Sequence, residues 1–115
     1  MDKTDALKIA DEYAKVVAQH FDYRRMILFG SYAKGTFHEE SDIDIAVVFG
    51  HYDNRFNMQV ELMKLCRQVD SRIEPHPFME EDFNMENPMA HEIVKYGQDI
   101  NSDFQYCHKI KYRQD

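Results

Sequence analysis

Two residue groups in this chain could serve one reaction: Gly30-Ser31 and, ten residues further on, Asp42-Ile43-Asp44. Glycine lets the backbone turn sharply and approach a ligand with no side chain in the way. Ser31 adds a hydroxyl and an amide at what could be a helix N-terminus, where phosphate is favoured. Asp42 and Asp44 lie two apart, so on a strand they face the same way. Such a pair offers hard oxygen ligands to Mg²⁺, which prefers octahedral coordination shared with water and substrate phosphate. Two such ions can clamp an attacking oxygen and a leaving pyrophosphate in line while neutralising the charge that grows between them.

These residues need elements to position them. Residues 25–29 are a short run, mostly apolar, stopped by Gly30, which suits a buried strand. Residues 31–34 can start a short helix that Gly35 ends. Ile43, Ile45, Val47 and Val48 form a second strand, bounded by Ser41 and Gly50, with the aspartates at its start. Before them, Thr4 can cap a helix whose apolar stripe is Leu7, Ala10, Ala14, Val17 and Phe21. After them, residues 54–69 read as a helix with Met58, Leu62, Leu65, Cys66 and Val69 on one side. A third strand candidate spans 71–78, where Pro75 and Pro77 restrict it to an edge or stop it at Pro75. Asn87-Pro88 starts a last helix with Met89, Ile93 and Val94 on its buried side, ended by Gly97.

With 115 residues, 43% of them hydrophobic and including eight Phe and seven Tyr, the chain is long enough for one domain with its own core. A net charge of −7 argues against a broad basic face for nucleic acid, so no direct nucleic-acid binding is expected, while a small phosphorylated ligand bridged by metal fits. Cys66 and Cys107 match no metal or redox spacing and read as a buried thiol and a tail thiol in a reducing cytosol. The N-terminus lacks the basic-then-apolar pattern of a signal peptide, and no apolar run is long enough for a span. The expected setting is cytoplasmic, away from membranes. His20, His38, His51, His76, His91 and His108 are scattered without the spacing of a zinc pair. His76 nears the site only if Glu74 does, and a structural role is its plainer reading.

In Phe29-Gly30-Ser31, ten residues and then Asp42-Ile43-Asp44, with Lys34-Gly35 and Ser41 between, the chain resembles the DNA polymerase beta-like nucleotidyltransferase superfamily. Its closest likeness is to the minimal nucleotidyltransferase branch, the antitoxin partners of HEPN-domain toxins. The resemblance implies an α/β (α+β) fold, a small mixed β-sheet flanked by helices, over residues 1–100, with 101–115 a polar tail in which Phe104, Tyr106 and Ile110 could dock on a partner. It implies an enzyme that transfers a nucleoside monophosphate, AMP from ATP, to a hydroxyl. Gly30, Ser31, Lys34 and Ser41 would hold the nucleotide, and Asp42, Asp44 and a third acid would hold two Mg²⁺ ions and serve catalysis. For the third acid Glu74 is preferred, because it lies inside the strand-like stretch, whereas Asp70 falls in the turn before it. So short a chain leaves little room for an acceptor-binding domain, and the resemblance supplies the acceptor: a tyrosine of a HEPN toxin, an RNA-cleaving helical protein silenced by AMP. Two alternatives stay open, a vestigial site that neutralises the toxin by contact, and a catalytic subunit that modifies a small molecule with a separate helical subunit.

Overall fold

The computed structural model describes residues 2–100. Helix α1 (Lys3–His20) is followed by strand β1 (Tyr23–Phe29), the one-turn helix α2 (Ser31–Lys34), β2 (Ile43–Phe49), α3 (Arg55–Cys66), β3 (Ile73–Met79), a 3₁₀ turn at Glu80–Asp82, α4 (Pro88–Tyr96) and the short β4 (Gln98–Asp99). The strands form one mixed sheet in the order β3-β2-β1-β4. β1 runs antiparallel to both β2 and β4, and β2 is parallel to β3.

Alternation along the strands sorts the side chains into two cores. Met26, Leu28, Ile43, Ile45, Val47 and Phe49 pack with Ala10, Ala14 and Val17 of α1 and with Leu62 and Leu65 of α3. The opposite face buries Ile27, Ala46, Val48 and Phe78 with Ile93 of α4. Asp44 shares the parity of Ala46 and Val48, so it projects on the α4 side, away from the larger core. The first core has an internal polar tie: the buried Tyr13 hydroxyl donates to the Leu62 carbonyl at 2.9 Å.

Pro75 and Pro77 are accommodated because β3 is the edge strand. Two residues apart, they turn the same way in the ladder, and their missing N–H groups fall on the side away from β2. The carbonyls on that side are served by side chains instead: Gln59 Nε2 donates to Pro75 O at 2.7 Å and the Tyr52 hydroxyl to Pro77 O at 3.5 Å. The strand therefore runs through both prolines in register with β2 rather than stopping at the first.

Local signals set most helix boundaries. Asn54 accepts from Asn57 N to open α3, and Asn87 accepts from Met89 N and Ala90 N ahead of Pro88 to open α4. At α1 the cap is Asp2, not Thr4: Asp2 accepts from Asp5 N, and the Asp5 carboxylate accepts from Asp2 N. This reciprocal box satisfies two amides and puts two acids at the positive end of the helix, which one threonine cannot match. Met89 and Val94, expected on the buried side of α4, are 40% and 41% exposed, while Ala90 and Ile93 are the residues it buries. The chain passes from α4 into β4 at Gly97, where a Cβ would stand 2.3 Å from Ile93 O and 2.5 Å from Ile27 Cγ2. Arg25 then pairs with Asp99 at 2.9 Å and ties β4 to β1. Cys66 is a buried thiol, as expected; Cys107, Phe104, Tyr106 and Ile110 lie outside the described residues.

Candidate active site

The parallel pairing of β2 with β3 sets Asp44 beside Glu74 and Ala46 beside His76. Successive residues of one face thus bring two carboxylates and an imidazole together at one end of the sheet. Ligand atoms of Asp44, Glu74 and His76 all lie within 4.8 Å of one another. His76 Nε2 is 3.2 Å from Asp44 Oδ1, and its ring meets Phe29 edge-on with centroids 5.0 Å apart. Asp42, exposed and one residue ahead of β2, lies near enough for its charge to act on Glu74. Partial desolvation holds Glu74's carboxyl above the usual carboxylate range, opposed by the His76 ring but reinforced by the charges of both aspartates.

Gly30 closes the arrangement from β1. It has φ 73° and ψ −151° and stands at the N-terminus of α2. A Cβ there would lie 2.3 Å from Asp44 Oδ2, so the residue is constrained both by its conformation and by the carboxylate packed against its Cα. Ser31, partly buried, follows at the start of α2, whose first amides have no carbonyl partner within the helix. Gly30, Ser31, Asp42, Asp44 and Glu74 are thereby gathered at one end of the sheet.

Two expected nucleotide ligands have protein partners. The Ser41 hydroxyl, buried, accepts from His38 N at 2.8 Å and braces the loop leading into Asp42. Lys34 is paired with Glu92 of α4, and its ammonium lies 5.1 Å from the centre of the Tyr96 ring. His76, whose plainer reading is structural but which nears the site if Glu74 does, is brought against Asp44 by the parallel register. The available signal was its spacing, two residues beyond Glu74 on a strand.

Asp70 lies in the turn before β3, engaged with Arg72. Its carboxylate accepts from Arg72 N at 2.9 Å and from the guanidinium at 2.7 and 3.0 Å. The hydrogen bonds from the Arg72 guanidinium hold Asp70 below the usual carboxylate range. A depressed folded-state pKa contributes stability above the unfolded value near 3.9 that is lost as pH falls through the folded value. Asp70→Asn should therefore lower the melting temperature by roughly a few degrees at pH 7, with the deficit shrinking below about pH 4. Thermal melts at both pH values check this.

Over residues 11–104 the chain matches the family described as polymerase beta, nucleotidyltransferase. The chain belongs to that family. Among proteins of curated function none is a significant match. Among solved structures, a Sulfolobus solfataricus protein assigned as a nucleotidyltransferase is 25% identical, covering 84% of this chain and 80% of its own, with a TM-score of 0.61. A chain of a toxin–antitoxin complex with AMP-PNP is 23% identical over 90% of this chain and 86% of its own, with a TM-score of 0.62. A chain from the complex of a tri-AMPylated Shewanella oneidensis HEPN toxin with its MNT antitoxin is 19% identical over 95% and 87%, with a TM-score of 0.59. The last two share the polymerase beta-like nucleotidyltransferase fold, with its mixed sheet flanked by helices.

Proposed function

We propose that this nucleotidyltransferase moves AMP from ATP to a tyrosine hydroxyl of a HEPN-domain toxin and silences it, acting as its antitoxin. The acceptor oxygen bonds to the α-phosphorus as the bond from that phosphorus to the β-bridging oxygen breaks. Pyrophosphate leaves with the electron pair, and the hydroxyl proton passes to a carboxylate. The observation that carries this reading is the convergence of Asp42, Asp44 and Glu74 beside the Gly30 turn. For the acceptor, support comes from the likeness of fold to a chain crystallised with an AMPylated HEPN toxin.

In this reading Gly30 and Ser31 present backbone amides and a hydroxyl to the phosphates, and Lys34 turns from Glu92 to meet them. The hard oxygen donors of Asp42, Asp44 and Glu74 fit Mg²⁺, which when bound supplies charge neutralisation for the triphosphate. His76 steers the Asp44 carboxylate through its 3.2 Å contact. Glu74, with its raised pKa, is the carboxylate best suited to take the acceptor proton or to complete the metal set. The proposed setting is the cytosol, where Cys66 stays a thiol. Among the described residues no helix is long and apolar enough to cross a membrane.

Glu74→Gln should cut the transfer rate by about 10²–10⁴-fold while leaving partner binding intact, because a positioned general base alone contributes on that order. Parallel incubations with α-labelled and γ-labelled ATP test the reaction class. Nucleotidyl transfer leaves the α-label on the partner and the γ-label in pyrophosphate; γ-label on the partner would identify a kinase instead.

A further inference from the structure

Between the Gly30 turn and α4 lies a cavity of about 210 Å³, of whose lining the reaction chemistry above uses only Gly30 and Lys34. Pockets for whole drug-sized ligands run from about 300 Å³ upwards, so this one suits a single ring system. Phe29 and Tyr96 give it aromatic walls, and Met89 and Ile93 give it aliphatic ones. Lys34 and Glu92 supply the charged groups. Met89 and Tyr96 are 40% and 47% exposed, large apolar surface left uncovered beside the site.

The cavity is contiguous with the carboxylates. Gly30 both lines it and abuts Asp44, and Phe29 both lines it and packs on His76. A ligand whose phosphates lie on the Gly30 turn therefore has this cavity within reach of its other end. We propose that the cavity is the nucleobase site and that Glu92 reads the edge of the base, favouring adenine, whose 6-amine donates to it, over uracil; this rests on the nucleotidyl-transfer reading above.

The chemistry is that of a flat ring stacked on aromatic side chains with its edge read by one acceptor. A carboxylate accepts from the adenine N6 amine, whereas uracil presents the O4 carbonyl oxygen at the matching position, which it repels. Lys34 is paired with Glu92. Triphosphate draws the ammonium away, and the base amine takes its place at Glu92, so phosphate and base recognition are linked.

Calorimetric titration of the full chain with Mg²⁺ and, in turn, ATP, UTP and tripolyphosphate tests this. The parent should bind ATP at least about tenfold more tightly than UTP. Glu92→Gln, a change at an exposed carboxylate, should erase that preference, since an amide can donate to a carbonyl as readily as accept from an amine. Tyr96→Ala should weaken ATP about tenfold or more and leave tripolyphosphate unchanged. Equal affinities for ATP and UTP in the parent, the result expected if the cavity takes the acceptor's aromatic ring, would overturn the assignment. So would a Glu92→Gln protein that keeps the ATP preference, or a Tyr96→Ala protein that loses ATP and tripolyphosphate in parallel. Failure of AMP transfer with base-selective binding intact would refute the reaction and leave the base site standing.

Discussion

Asp42→Asn and Asp44→Asn should each abolish AMP transfer, by about 10³-fold or more, without unfolding the chain. Both substitutions keep side-chain volume and remove one negative charge. Asp44 projects from β2 beside Glu74, with His76 on one oxygen and the Gly30 backbone against the other. Metal-borne charge stabilisation supplies several kcal/mol in reactions of this class, and each 1.36 kcal/mol is tenfold in rate. The cost to the fold has the opposite sign. Asp44 and Asp42 both repel Glu74, so neutralising either relieves like-charge crowding and should hold or raise the melting temperature. Rate assays paired with thermal melts distinguish the roles: near-parental transfer in either variant removes that aspartate from the chemistry, and a loss of rate that follows a loss of structure makes its role architectural.

Gly30→Val should remove detectable Mg·ATP binding, whereas Ser31→Ala should weaken it by only about 0.5–1.5 kcal/mol. The valine meets two obstacles at once. Its φ of 73° is rarely adopted by a branched residue, at a cost of order 1–3 kcal/mol, and its Cβ would fall 2.3 Å from Asp44 Oδ2. The backbone must shift or the carboxylate must swing away, and either spoils both halves of the site. Ser31→Ala removes one hydroxyl and leaves every amide in place. Gly30→Ala separates the terms, because it keeps the collision with less of the branched-chain strain. Titrations that give Gly30→Val the parent's affinity would contradict the geometry.

Periodicity and turn chemistry made most of the scaffold legible. Asn87-Pro88 opens α4 as its residues suggest, and of the two readings that Pro75 and Pro77 leave, an edge strand or a stop at Pro75, the sheet order bears out the edge. The pairing of Asp44 with Glu74 was within reach because a strand, a helix and a strand in succession commonly make a parallel pair. What stayed hidden depends on tertiary contact. The two residues of β4 carry no periodic signal and exist because Gly97 lets the chain pass close over Ile27. Lys34 meets Glu92 across 58 positions, a pairing that no local pattern encodes. Met89 and Val94 fit an apolar stripe, but α4 buries only Ala90 and Ile93. His76 looked like one of several scattered histidines until the register carried its ring to Asp44.

The most direct test of the central claim is intact-mass and peptide mass spectrometry of both chains after this protein, the HEPN-domain partner proposed for it, Mg²⁺ and ATP are incubated together, with Asp42→Asn/Asp44→Asn as the control. The proposed mechanism predicts an AMP adduct on a partner tyrosine, loss of the partner's RNA cleavage in step with it, and neither change with the doubly substituted protein. A partner silenced equally by parent and variant, with its mass unaltered, would contradict the mechanism and leave neutralisation to contact alone.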